Sequence, residues 1–248
     1  MILTPDLFIE LNKFNNIIFK DSNHSYYING KKSISCTEFI SMFKKPFKKD
    51  IIAEKYAQKN GMYTWEVVSE WDDIKNKAIS LGNNFHKYAE LRYASKEYEI
   101  PEEGLPSWYK LAFEEFYQET KSYLIPIKSE WIVGDEELLL CGTLDQLFYN
   151  TKEKEFQIWD YKTSKDIGRY SKYKNKMING LSHLDECEYN IYSIQLQVYK
   201  KIIEKNTNIK IGDCYICWVN PKNERIVNIK TRDMSDEVDK MFSIRFAA

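Results

Sequence analysis

The amino-acid sequence predicts a single α/β domain over 1–248, a mixed central sheet flanked by helices, with an N-terminal helical lobe at 37–125 and a sheet core at 126–230. Three observations carry that expectation. Apolar residues recur at helical spacing through most of the first half. Three strand-like runs, 129–134, 137–149 and 155–162, then follow in close succession with turn residues between them. A further apolar-striped helix at 189–204 and a strand pair complete the order helix, three strands, helix, strand (αβββαβ).

The elements follow in order along the chain. His24-Ser25-Tyr26-Tyr27-Ile28 alternates into Asn29-Gly30, a dipeptide that favours a type I′ turn, and the chain returns through Ile34. His24 has nothing nearby at ligand spacing and reads as a structural or surface residue. Ser35-Cys36-Thr37-Glu38 is a capping box that opens a short helix through Phe43. Lys44, Lys45, Pro46, Phe47, Lys48 and Lys49 cluster around a helix-breaking proline, first a solvated loop and only second a phosphate contact. From 50 to about 95 the pattern is helical. The stripe of Ile51, Ile52, Ala53, Tyr56 and Ala57 stops at Asn60-Gly61. A second stripe runs through Trp65, Val68, Trp71, Ile74 and Ala78 to Leu81, Phe85, Tyr88 and Leu91. A polar loop marked by Pro101, Gly104 and Pro106 precedes an amphipathic helix at 107–123, whose Trp108, Leu111, Ala112, Phe116 and Tyr123 read as packing residues. Pro126 is expected to end the helical lobe.

The strands carry the chemistry. Gly134-Asp135 joins the first two, and Asn150-Thr151-Lys152-Glu153-Lys154 joins the last two. Asp145 and Asp160 lie inside apolar strand pattern, not in the turns. A hairpin about Lys152 sets residues near 144 opposite residues near 160, so the two carboxylates become close neighbours. Strand period two puts Phe156, Ile158, Asp160 and Lys162 on one face. Two acids converging at the end of a buried strand repel each other and do not both ionise without a cation. Oxygen ligands suit Mg²⁺ or Mn²⁺. Lys162 is then placed to orient or acidify a metal-bound water, or to stabilise a developing oxyanion. The competing reading is a salt bridge between one of the acids and Lys162.

Beyond Thr163, 164–188 shows little periodicity. Lys165, Arg169, Lys172, Lys174 and Lys176 stand there against Asp166 alone up to position 176, with Tyr170 and Tyr173 interleaved. Lys165, Arg169, Lys172 and Tyr173 are candidates to grip a phosphate backbone and stack an unpaired base. A mobile, solvated loop is the equal alternative. His183 has no assigned role. In 189–204, Ile191, Ile194, Val198, Ile202 and Ile203 mark the apolar side, while Gln195 and Tyr199 share a face. The runs 214–219 and 225–229 read as a strand pair across Asn220-Pro221-Lys222-Asn223.

Four of these features carry a resemblance. GTLD, ending at Asp145, and WDYKT, containing Asp160 and Lys162, resemble the core of the RecB-type branch of the PD-(D/E)XK nuclease superfamily. LGNNFHKYAE resembles that branch's helical histidine motif, with His86 in the role, and Gln195-Leu196-Gln197-Val198-Tyr199 matches its Q-x-x-x-Y motif. The motifs stand in the branch's order over roughly 77–220. Each is weak alone, and the four in sequence are fairly specific. The resemblance implies a restriction-endonuclease-like core and metal-dependent phosphodiester hydrolysis of DNA. In that reading Asp145 and Asp160 hold one or two Mg²⁺ (or Mn²⁺) ions with the Tyr161 main-chain carbonyl. His86 is a metal ligand or phosphate contact, and Glu90, four residues on, is its supporting partner. Lys162 positions the attacking water, while Gln195 and Tyr199 hold substrate or support Lys162. The branch sometimes carries an acid near Glu130, which otherwise reads as a solvent-facing strand residue. Some relatives hold an iron–sulfur cluster on four cysteines. Cys214 and Cys217 have the local spacing but sit in strand pattern, and Cys36, Cys141 and Cys187 show no matching arrangement, so no cluster is expected.

Composition limits the partners. The net charge of −1 gives no global signal for nucleic acid, so a DNA-binding surface must be a local patch. Five cysteines, an odd number, argue for reduced thiols and a cytoplasmic protein. There is no run of 18 apolar residues, and Met1-Ile2-Leu3-Thr4 lacks a signal peptide's pattern, so no membrane is expected. The specific expectation is a phage-encoded exonuclease of recombination or repair. No phosphate-loop ATPase motif is present, so any helicase or recombination motor is a separate partner. The alternative is a non-catalytic nucleic-acid-binding module whose nuclease site is vestigial.

Overall fold

A computed structural model describes residues 4–96 and 104–247; Met1, Ile2, Leu3 and Pro101, on which expectations above rest, lie outside the described residues. In order the elements are α1 (Pro5–Leu11), β1 (Ile17–Lys20), β2 (Ser25–Ile28), β3 (Lys31–Ser35), α2 (Cys36–Ser41), α3 (Lys49–Asn60), α4 (Thr64–Tyr93), α5 (Ser107–Thr120), β4 (Leu124–Asp135), β5 (Leu140–Asn150), β6 (Glu155–Lys162), α6 (Glu188–Asn206), β7 (Ile211–Asn220), β8 (Arg225–Lys230) and α7 (Ser235–Phe246). Local chemistry sets several of these ends. Thr4 accepts the Leu7 N–H ahead of Pro5, and Ser35 accepts the Glu38 N–H, so both helices start on a side-chain cap. Gly61, at φ 66°, takes the left-handed position that stops α3.

The strands form one mixed sheet in the order β1-β2-β3-β5-β6-β7-β8, with β4 paired to β5. Pairing is antiparallel except for β3 with β5 and β6 with β7. Helices pack on both faces. One face buries Phe39, Leu144, Ile158, Ile194, Val198 and Met241, drawn from α2, α6, α7 and the strands. The other buries Phe85, Tyr109, Phe113, Trp159, Tyr161 and Cys217, so the second half of α4 and α5 cover it. The central strand β6 is therefore buried on both sides and has no solvent-facing side. The first half of α4 leaves the sheet and meets α3 through Ala53, Ala57 and Val67.

The feature that positions the site is a change of partner along β5. β4 occupies one edge of β5 throughout, so β3 and β6 share the other edge. β3 pairs with Leu140 and Cys141, β6 pairs from Gln146 onward, and the strand between them faces a split in the sheet.

Two boundaries differ from expectation for physical reasons. Pro126 lies inside β4 and does not end the helical lobe; α5 stops at Thr120. Among the described residues β4 pairs only with β5, and its register shifts between Pro126 and Lys128, so a missing N–H is tolerated there. β5 starts at Leu140 and not at 137, because Asp135 Oδ1 accepts the Leu138 N–H and Leu139 turns at φ 46°. The expected hairpin about Asn29-Gly30 forms as β2 and β3, and through β3 it joins the same sheet as β5.

Candidate metal centre

Strand register brings three acids to one level. Ser129↔Gln146 and Trp131↔Leu144 flank Glu130 and set it beside Asp145 across β4 and β5. Gln146↔Trp159 likewise sets Asp160 beside Asp145 across β5 and β6. Helix α4 adds His86 from above: its Nδ1 lies 3.4 Å from Asp145 Oδ1 and 3.8 Å from Glu130 Oε1. Its Nε2 lies 3.1 Å from the Tyr161 carbonyl oxygen. His86, Glu130 and Asp145 each offer a ligand atom, all within 4.8 Å of one another, a group able to hold a metal ion. Asp145 is fixed further by the Tyr161 N–H, which donates to its Oδ2 at 2.6 Å.

Lys162 completes the cluster. Its Nζ is 2.5 Å from Asp160 Oδ2, with Asp160 only 1% exposed. The contact is charge against charge, since Asp160 Oδ2 accepts no aligned hydrogen bond among the described residues. The Tyr192 ring lies 4.8 Å from the same ammonium, and its hydroxyl shares a 2.8 Å hydrogen bond with Ser164. Gln195 donates to the Tyr199 hydroxyl at 3.3 Å, joining two residues one turn apart on α6. Tyr199 packs so closely on Gly142 that a Cβ there would sit 2.6 Å from its ring. All of these side chains except Tyr161, Tyr192, Ser164 and Glu130 line one cleft of about 690 Å³, together with His24, Tyr26, Cys36, Glu38, Asn83 and Thr143.

Burial and mutual charge split the behaviour of the two aspartates. Burial pushes the Asp160 carboxyl up to about 6, and Asp145 adds to the rise against the pull of Lys162. Asp145 is buried too, but the charges of His86 and Lys162 and the Tyr161 N–H hold it below the usual carboxylate range. Burial opposes the charge on His86, yet Asp145 and Glu130 raise its imidazole to about 10. Lys162 is likewise raised, its acids outweighing its burial. His86 and Lys162 thus set positive charge against these acids.

Of the candidate residues, the structure brings together His86, Asp145, Asp160, Lys162, Gln195, Tyr199 and the Tyr161 carbonyl. It does not bring Glu90, whose Oε2 accepts from Lys87 at 2.8 Å on the outer side of α4. Lys165, Arg169, Lys172 and Tyr173 are exposed and line no part of this cleft. Lys172 lies 3.5 Å from Asp166, and Arg169 stacks over the Tyr189 ring at 4.4 Å. Glu130, expected to face solvent, is partly exposed and also falls within this group. Its signal was the even spacing of 130, 145 and 160 across two short connections, which fixes a common level once both hairpin registers are known. Cys214 and Cys217, three apart on β7, point into the cores on opposite faces of the sheet.

No family model matches the chain. Over 114 residues it is 27% identical to one component of the ATP-dependent helicase/nuclease of Listeria monocytogenes serotype 4b (strain F2365). That match covers 45% of the chain and 8% of the much longer relative. The solved structure of SSO0001 aligns with 69% of the chain and 73% of its own length, at 15% identity and a TM-score of 0.27. A likeness that loose carries no argument. No helix among the described residues is long and apolar enough to cross a membrane.

Proposed function

We propose that the chain is a metal-dependent nuclease that hydrolyses phosphodiester bonds in DNA on a restriction-endonuclease-like core. One observation carries the reading: Glu130, Asp145 and Asp160 stand level on three adjacent strands, with His86 and Lys162 against them, and all of these but Glu130 line one open cleft. The element order α5, β4, β5, β6, α6, β7 supports the core, and the partial match to a helicase/nuclease component supports the activity.

The donor set fits a hard divalent cation. Three carboxylates and the Tyr161 carbonyl offer oxygen, and one imidazole adds a nitrogen, a mixture that suits Mg²⁺ or Mn²⁺ over softer ions. Asp145, Asp160, Glu130 and the Tyr161 carbonyl, with His86, are the residues to hold one or two such ions. When bound, the metal supplies Lewis-acid activation of water and charge neutralisation at the phosphate. The remaining work falls to the chain. Tyr161 N–H keeps Asp145 aimed into the cleft. Lys162 would present its ammonium to the attacking water or the scissile phosphate. Gln195 and Tyr199, linked to each other, orient substrate beside it. In this reading the protein is an exonuclease of recombination or repair, phage-encoded and working beside a separate helicase.

Digestion of end-labelled linear and circular DNA, single- and double-stranded, tests the proposal with Mg²⁺ or Mn²⁺ and a chelator blank. Wild type cleaves only with metal, and Asp145→Asn and Lys162→Ala, checked as folded by circular dichroism, do not. Sparing of circles makes it an exonuclease. The internal pairing of His86 with Asp145 and of Lys162 with Asp160 also suits a second reading, a DNA-binding module with a vestigial site. Wild type that binds DNA but cuts nothing under any metal replaces the first reading with the second.

A further inference from the structure

A second cavity lies at the N-terminal end of α6. It holds about 440 Å³ and is lined by Arg169, Lys176, His183, Tyr189 and Arg232, with Tyr170 at its rim. Its charge is mostly positive and its one lining acid, Asp185, is occupied. Lys176 takes Asp185, which also accepts the Ser171 N–H, and His183 takes Glu237. Arg169 and Arg232 pair with no carboxylate among the described residues, and both are exposed. One residue, Tyr189, touches the Arg169 guanidinium and the backbone just ahead of Arg232. The Tyr189 ring carries Arg169 at 4.4 Å, and the Tyr189 hydroxyl donates to the Lys230 carbonyl at 3.2 Å, two residues before Arg232. An arginine stacked on a buried ring gives up less freedom when it binds, and its fork matches an oxyanion.

The rim joins this pocket to an aromatic groove. Tyr170, 79% exposed, also borders a space lined by Tyr173, Tyr56, Trp71 and Phe47. A cationic pocket with exposed aromatic rings at its edge matches one repeating unit, a phosphate followed by an unpaired base. Helix α6 links pocket to cleft. Tyr189 lines the first, Tyr192 touches Lys162, and Gln195 lines the second. Tyr189 and Gln195 themselves are six residues apart, about 9 Å of rise along α6.

We propose that Arg169, Arg232 and Tyr170 form a nucleic-acid subsite outside the acidic cleft, where a strand phosphate meets the two guanidinium groups and the adjacent base stacks on Tyr170. The choice of nucleic acid as occupant rests on the nuclease reading of the cleft; the phosphate chemistry does not.

Binding is measured with chelator present, so that catalysis plays no part. A fluorescent single-stranded 15-mer is titrated against wild type, Arg169→Gln, Arg232→Gln, the double variant and Arg232→Lys, over a range of salt, with thermal melting as the check on folding. Each Gln variant is expected to weaken binding roughly tenfold and to lower the slope of log affinity against log salt by about one. Arg232→Lys keeps the salt slope while losing part of the affinity, because it retains charge without the fork. Tyr170→Ala weakens binding with the slope unchanged. A double variant that binds within about twofold of wild type, at the same slope, overturns the subsite. So does arginine-dependent binding of inorganic phosphate or a mononucleotide with arginine-independent binding of the 15-mer, which makes the pocket a small-phosphate site. If wild type cuts no DNA but the arginine-dependent binding holds, the nuclease reading fails and the subsite stands.

Discussion

Glu130 occupies the left-handed region, φ 46°, within β4. A non-glycine residue there costs on the order of 1 kcal/mol, and such positions persist where the surroundings over-determine them. Here the backbone turn aims the carboxylate at His86 and Asp145. Glu130→Gly is therefore expected to raise stability by up to about 1 kcal/mol, the relieved strain being partly offset by glycine's unfolded-state entropy. The same change weakens Mn²⁺ binding, read as a smaller metal-induced rise in melting temperature. A drop in stability with metal response intact would sink the assignment. Asp145, Asp160 and Lys162 were legible in the sequence because an acid inside apolar strand pattern is anomalous wherever the fold is closed. His86 was legible only beside them. Glu130 was not, because a single acid at a strand start is ordinary until the register sets it level with two others.

At the scale of elements, two of the contacts that hold α6 to the sheet each yield a prediction. At its C-terminal end, buried Asp135 accepts from Lys205 Nζ at 2.8 Å, Asn206 Nδ2 at 3.2 Å and the Leu138 N–H at 2.9 Å. Burial alone would raise its carboxyl, but Lys205, Leu138 N–H and Asn206 together hold it below the usual range. A carboxylate whose folded value is depressed contributes stability that is fully present above its unfolded value near ~4 and is lost as pH falls through the folded value. Asp135→Asn is expected to cost about 1 to 2 kcal/mol at neutral pH and to flatten the acid limb of a stability–pH profile. An unchanged limb would remove Asp135 from the account. In the middle of α6, Tyr199 lies against Gly142, and Gly142→Ala must displace the ring; overpacking of that kind costs about 1 to 3 kcal/mol and is read by denaturant melts. Strands around the acids could be read from turn residues and alternation. The bounds at Pro126 and Leu139 could not, because an open edge excused the proline and an aspartate side chain, invisible to periodicity, made the turn.

For the whole molecule, the cleft is a property of assembly. Strand β5 changes partner between Cys141 and Gln146, and the split leaves room at the sheet for side chains arriving from α4 and α6. The packing that docks α4, with Phe85 between Tyr109, Phe113 and Tyr161, is also what sets His86 over Asp145 one residue later. The three acids thus gather only in the folded chain, and a cation that bridges strands and α4 has no comparable site in the unfolded one. Such a ligand stabilises by mass action, about 2.7 kcal/mol at a hundredfold excess over its dissociation constant. For a chain of this length each kcal/mol moves the melting temperature by about 2 to 4 °C, so Mn²⁺ is expected to raise it by roughly 5 to 10 °C. Asp145→Asn keeps an acceptor for the Tyr161 N–H and so preserves the local backbone, but it removes the ligand charge and should abolish most of the rise. Thermal denaturation with Mn²⁺, Mg²⁺ and chelator decides the matter. Two internal ion pairs, His86 with Asp145 and Lys162 with Asp160, already satisfy the acids if they are the site's final state, and they give the protein no reason to answer a metal. A melting temperature indifferent to both cations would mean that these pairs are the end of the story; a rise that vanishes with Asp145→Asn means that they are placeholders for a cation.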